Sequence, residues 1–66
     1  MADDPAAVRA LVAALGDPDP AVVVEVLDSL EFAGDETAVP HIVPLLEHPD
    51  AAVREAARDA IDFLGE

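Results

Sequence analysis

Apolar residues recur along this chain at helical spacing in four stretches, and short polar segments separate them. Val8, Leu11, Val12 and Leu15 form the first set, an i, i+3, i+4, i+7 pattern that buries one side of a helix. Asp4-Pro5 precedes it and Gly16 follows it. Asp accepts hydrogen bonds from free N–H groups at a helix start, Pro suits the first helical position, and Gly closes the end. Asp19-Pro20 repeats this device and predicts a second helix running to about Ala33, stopped by Gly34. Asp35 caps a third helix, with Val39, Ile42, Val43 and Leu46 facing inward. After the His48-Pro49 turn, Asp50 caps a fourth, with Val53, Ala56, Ala57, Ala60, Ile61 and Leu64 inward and Gly65 at its end. Pro40 and Pro44 fall inside the third pattern. Each removes a backbone donor and frees a carbonyl one turn earlier, so that segment is expected as one kinked helix.

Displaced by 31 residues, the sequence falls on itself: Asp17-Pro18-Asp19-Pro20-Ala21-Val22 on His48-Pro49-Asp50-Ala51-Ala52-Val53, and Phe32-Ala33-Gly34-Asp35 on Phe63-Leu64-Gly65-Glu66. A period of this length marks stacked units that share a core with their neighbours. The expected architecture is all-α: a single domain over residues 1–66, made of repeats 4–34 and 35–66, each an antiparallel helix pair. Val22-Val23-Val24 is the one β-branched run. It lies just inside a strong helix start and in the repeat register, which outweighs its strand propensity.

Helix two is apolar around most of its circumference, through Val22, Val23, Val24, Val26, Leu27, Leu30 and Phe32. Such a helix is normally buried on several sides, and 66 residues are expected to leave part of it open to a partner. Helix one carries only Arg9 as a charge among Ala6, Ala7, Val8, Ala10, Leu11, Val12, Ala13, Ala14 and Leu15. It therefore lacks the polar outer face that ends a repeat array. Helix four, with Arg54, Glu55, Arg58, Asp59 and Asp62, has one.

The stretch Ala38-Val39-Pro40-His41-Ile42-Val43-Pro44, with Asp50, Val53 and Arg54 opening the following helix, resembles a HEAT-like repeat. It is closest in kind to the short units of the phycobilin lyase type. The resemblance implies a short α-solenoid whose second helices line a concave face. On that face it sets Val23, Leu27 and Glu31 beside Arg54, Arg58 and Asp62, an apolar half and a charged half suited to an amphipathic peptide. The first unit departs from the pattern, with Val23, Val24 and Leu27 where the second has Arg54, Glu55 and Arg58. Phe32 and Phe63 precede the two terminal glycines, where the family more often has a polar residue. Either they plug the packing between units or one of them anchors a partner. The expected partner-binding set is Val23, Val24, Leu27, Glu31, Phe32, Arg54, Arg58, Asp62 and Phe63.

Composition narrows the function. Fifteen acids against three arginines give a net charge of −12. Such a field opposes nucleic acid and anionic membranes and favours basic or amphipathic protein partners. An acidic surface without lysine also suits high salt. Pro, Asp and Glu interrupt every apolar run, so no membrane span is expected. Met1-Ala2-Asp3-Asp4 lacks the positive start of a signal peptide, and a cytoplasmic address is expected.

Small Ala and Val side chains, no Cys, and only two repeats make a marginal core, so completion by a second copy or a larger complex is expected. Ser29 and Thr37 have no adjacent His to activate them, and the three glycines end segments rather than cradle phosphate. His41 and Glu47-His48 do not form the repeated His-Glu pairs by which some HEAT-like enzymes bind iron. No catalytic residue, cofactor or metal is expected. The expected function is a non-enzymatic interaction or adaptor module. The alternatives are an accessory role in chromophore or cofactor loading, an acidic decoy for a nucleic-acid-binding protein, and a structural homo-oligomer.

Overall fold

The Asp caps and prolines place the helices where the apolar pattern puts them. The computed structural model describes residues 5–65, so the proposed Asp4 cap and the Met1–Asp4 segment lie outside the described residues. The first helix, α1, spans Pro5–Ala14, and α2 spans Pro20–Ala33. Asp19 caps α2 by accepting from the Ala21 N–H at 3.0 Å. Asp17 in turn accepts from the Asp19 N–H at 2.8 Å, which fixes the connector. Gly34 ends α2 in the left-handed region, at φ 69°, and its N–H reaches the Leu30 and Glu31 carbonyls. Only glycine adopts that conformation without a steric cost from Cβ.

The third segment runs Glu36–Ala38 and Val43–Glu47 as 3-10 turns around a single α-turn, α3, at Val39–Ile42. Asp35 caps it, accepting from the Thr37 N–H at 2.9 Å and from the Thr37 hydroxyl at 2.6 Å. Pro40 and Pro44 cannot donate, and the tighter i→i+3 bonding takes over on either side. The expected kinked helix is thus a helical path whose winding changes twice. That change also corrects its inward face. Side chains on a 3-10 turn eclipse every third residue, so Ile42, fully buried, is followed by half-buried Leu45 and His48. Val43 and Leu46, expected inward, are 47% and 40% exposed.

The fourth helix, α4, spans Ala51–Leu64. Asp50 caps it with two bonds, from the Ala52 N–H at 2.8 Å and the Val53 N–H at 3.3 Å. Its start is held to the preceding turn by Arg54, whose Nη1 donates to the His48 carbonyl at 2.7 Å and the Pro49 carbonyl at 3.0 Å. Every residue of the expected stripe on α4 is buried or half-buried. α2 and α4 begin and end 31 residues apart, so the sequence period is also a period of the helices. No strand occurs among the described residues. The protein belongs to the all-α class, as a short α-solenoid of helix pairs.

α2 packs against both α1 and α4, and α4 packs against both α2 and the third segment. One core results. Val23, Leu27 and Leu30 of α2, Ile42 of α3 and Val53 of α4 are its largest fully buried side chains. No polar or charged residue is buried among the described residues. The Cα radius of gyration is 10.5 Å, close to the roughly 11 Å expected of a compact domain of this length.

Candidate functional site

The i, i+4 line Val23–Leu27–Glu31 and its counterpart Arg54–Arg58–Asp62 occupy the same positions on α2 and α4, but only the second is a surface. Val23 and Leu27 have 0% exposure, and Val24 and Glu31 are half-buried. Arg54, Arg58 and Asp62 are exposed on α4. The expected groove with an apolar half and a charged half is therefore corrected: its apolar half is core. Flanking by both α1 and α4 is the physical reason. The apolar girdle of α2, expected to stay open in part, is open at one residue. Six of its seven apolar residues are buried or half-buried.

The seventh is Phe32, which is 88% exposed. It lines an open groove of about 660 Å³ between α1 and α2. Ala7, Ala10 and Leu11 supply the α1 wall, and Asp28, Ser29 and Ala33 supply the α2 wall with Phe32. The amphipathic phase of each helix creates this gap. α1 turns Val8 into the core and leaves Ala6, Ala7, Ala10 and Ala13 outward. α2 turns Val23, Val26, Leu27 and Leu30 inward, which leaves Asp28, Ser29 and Phe32 on its far side. Alanine walls are shallow and let a partner backbone come close. Of the expected binding residues, the groove gathers Phe32 alone. Ala7, Ala10 and Leu11 belong to the charge-poor face of helix one that the sequence had marked, whereas Asp28, Ser29 and Ala33 were not singled out by the sequence. Phe63 is 57% exposed at the far end of α4, outside the groove.

One acid marks the groove, and a second lies behind it. Asp28 lines the wall, and Glu31 stands one turn further along α2. Burial pushes the Glu31 carboxyl above its ordinary 4.5, and the negative charges of Asp28 and Asp59 add to the shift. Glu31 therefore feels one acid of its own helix and one of α4. Thr37, by contrast, holds the Asp35 carboxyl below its ordinary value by donating its hydroxyl and its N–H. No group of three His, Cys, Asp or Glu among the described residues could hold a metal ion. His41 is exposed, and His48 accepts the Asp50 N–H at Nδ1, 3.0 Å away, within its turn. No helix among the described residues is long and apolar enough to cross a membrane.

The all-α fold agrees with the comparison to known families. The family model for HEAT repeats matches residues 1–62. No curated protein and no solved structure matches the chain. With nearly its whole length under that match, the chain belongs to the HEAT repeat family.

Proposed function

We propose that this chain is a non-enzymatic interaction module that holds a protein partner in the α1–α2 groove, with Phe32 as its anchor. The observation that carries this reading is a phenylalanine 88% exposed in a groove otherwise walled mostly by alanine, leucine and serine. Covering apolar surface stabilises by about 25 cal/mol per Å², and aromatic anchors in such settings dominate binding energy. HEAT repeats generally mediate contacts between proteins, which gives the family-level support. The net charge of −12 speeds encounter with basic partners.

On this reading Val23, Val24 and Leu27 act by holding α2 in place rather than by touching the partner. Arg54, Arg58, Asp62 and Phe63 form a separate surface on α4 that orients larger assemblies. The division into units 4–34 and 35–66 and the cytoplasmic address belong to the same proposal.

Selection from a displayed library of helical peptides tests it. Peptides enriched on the wild-type chain are expected to lose binding to an Ala10→Glu or Phe32→Asp variant that keeps its helical circular dichroism. Binders indifferent to both substitutions would refute the assignment of the groove.

A further inference from the structure

The turns that launch α2 and α4 make the same hydrogen bond with different chemistry. Before α2, the Asp17 carboxylate accepts from the Asp19 N–H at 2.8 Å. One period later the corresponding residue is His48, and its Nδ1 accepts from the Asp50 N–H at 3.0 Å. Each bond spans the proline of its turn, Pro18 or Pro49, and holds the Asp that caps the following helix. A carboxylate and an imidazole thus fill one structural position, and they lose their power to accept at different pH.

A neutral imidazole accepts at one nitrogen and carries its proton on the other. The bond to Asp50 therefore assigns the His48 proton to Nε2. A second proton would put an N–H at Nδ1, facing the Asp50 N–H, and two donors cannot bond to each other. Imidazoles ordinarily change charge between about pH 5 and 8, whereas aspartate carboxylates do so near about pH 4.

The other bonds of this turn hold through the imidazole range. From α4, Arg54 Nη1 donates to the His48 and Pro49 carbonyls at 2.7 and 3.0 Å, and a guanidinium stays charged at every pH in question. The Asp50 carboxylate accepts from the Ala52 and Val53 N–H groups. The elements packed around the turn also carry His41 and Glu47 on the third segment and Glu55, Arg58, Asp59 and Asp62 on α4, all exposed. An imidazolium at residue 48 is repelled by the guanidinium of Arg54 and attracted by the carboxylates of Glu47 and Asp50.

We propose that His48 is a pH-operated latch on the entry to α4. Its neutral ring holds the Asp50 N–H, and acidification through the imidazole range releases it. Asp17 keeps the matched bond at the entry to α2 until the carboxylate range is reached. Mild acid thus frees the start of α4, with its charged outer face, and leaves the connector before α2 unchanged. The latch operates whether or not the α1–α2 groove holds a partner.

Heteronuclear NMR between about pH 8 and about pH 4 reads both bonds. At the alkaline end the His48 ring is expected as one tautomer, protonated at Nε2. The Asp50 amide signal is expected to shift in step with protonation of that ring, while the Asp19 amide moves only in the carboxylate range. His48→Asn keeps an acceptor that does not titrate and is expected to abolish the Asp50 shift. His48→Asp copies the first turn and is expected to move that shift to the Asp19 range. Circular dichroism checks that both variants fold, and the wild-type titration tests the latch without them. A neutral His48 ring protonated at Nδ1 would overturn the proposal. So would an Asp50 amide that stays still while the ring titrates, or one that shifts equally in the folded His48→Asn variant.

Discussion

α2 and α4 are both fourteen residues long, begin after an Asp cap and stand 31 residues apart, yet they bury different positions. α2 hides Val23, Val26, Leu27 and Leu30, whereas α4 hides Val53, Ala57, Ala60 and Leu64. Carried back one period, the α4 set corresponds to Val22, Val26, Ser29 and Ala33, two of which line the groove on α2. Caps and turns set where a helix begins and ends. Its neighbours set which face becomes core. α2 has α1 of its own unit and α4 of the next one against it, and the groove is the side that α1 borders and no helix covers.

The sharpest way to break this comparison is to cut matched positions. Leu27→Ala removes a fully buried side chain and is expected to cost about 2–5 kcal/mol. Total stability for a chain of this length is roughly 3–10 kcal/mol, so that loss takes much or all of it. Arg58→Ala, one period later and exposed, is expected to stay within about 0.5 kcal/mol. Urea denaturation checks both, and comparable costs would mean that the two helices bury the same face.

The next effect lies at the end of α2. Gly34→Ala puts a Cβ on a residue at φ 69° and is expected to cost about 1–2 kcal/mol. The caps follow. Asp50 accepts two N–H groups and Asp19 one, so Asp50→Ala is expected to lose about 1 kcal/mol or more, and Asp19→Ala less. Reversal of that order in thermal unfolding would show that cap bonding does not set the difference.

Much of the fold was legible because its signals are local. Asp caps, glycine stops and the prolines of the third segment act within one or two turns, and among the described residues α2 and α4 begin and end where those residues put them. The stripe of α4 was legible too, since one apolar face and one charged face leave a single solution. α2 was not, because a helix apolar all round does not say which side is covered. Val23 and Leu27 were therefore read as surface when they are core. Val43 and Leu46 failed differently. Two prolines changed the winding from 3.6 to three residues per turn, and a stripe counted at helical spacing fell out of phase. The groove itself was half visible, in the charge-poor helix one and in Phe32.

The smallest expected effect is a pH dependence on the α2 side of the α2–α4 contact. The Glu31 carboxyl binds its proton more tightly in the folded chain than the ordinary value of 4.5 allows. Its contribution is thus present below that value and is lost as pH rises through the raised folded-state value. Glu31→Gln is expected to stabilise the chain slightly at neutral pH, with the gain vanishing near pH 3. Thermal unfolding across that range checks it. A gain that persists at pH 3 would arise from packing, not from charge.

The open groove against its sealed counterpart can be measured directly, because the chain contains no cysteine and one thiol can report on one site. Ser29→Cys and Ala60→Cys are small substitutions at matched positions, exposed in α2 and fully buried in α4. The rate of reaction with a disulfide reagent under native conditions reads access. Modification of the Ser29→Cys variant is expected to proceed near the rate of an unfolded thiol, while the Ala60→Cys variant reacts only through opening of the fold. Equal protection at the two sites would mean that the groove is already closed, and equal reactivity would mean that the shared core is not.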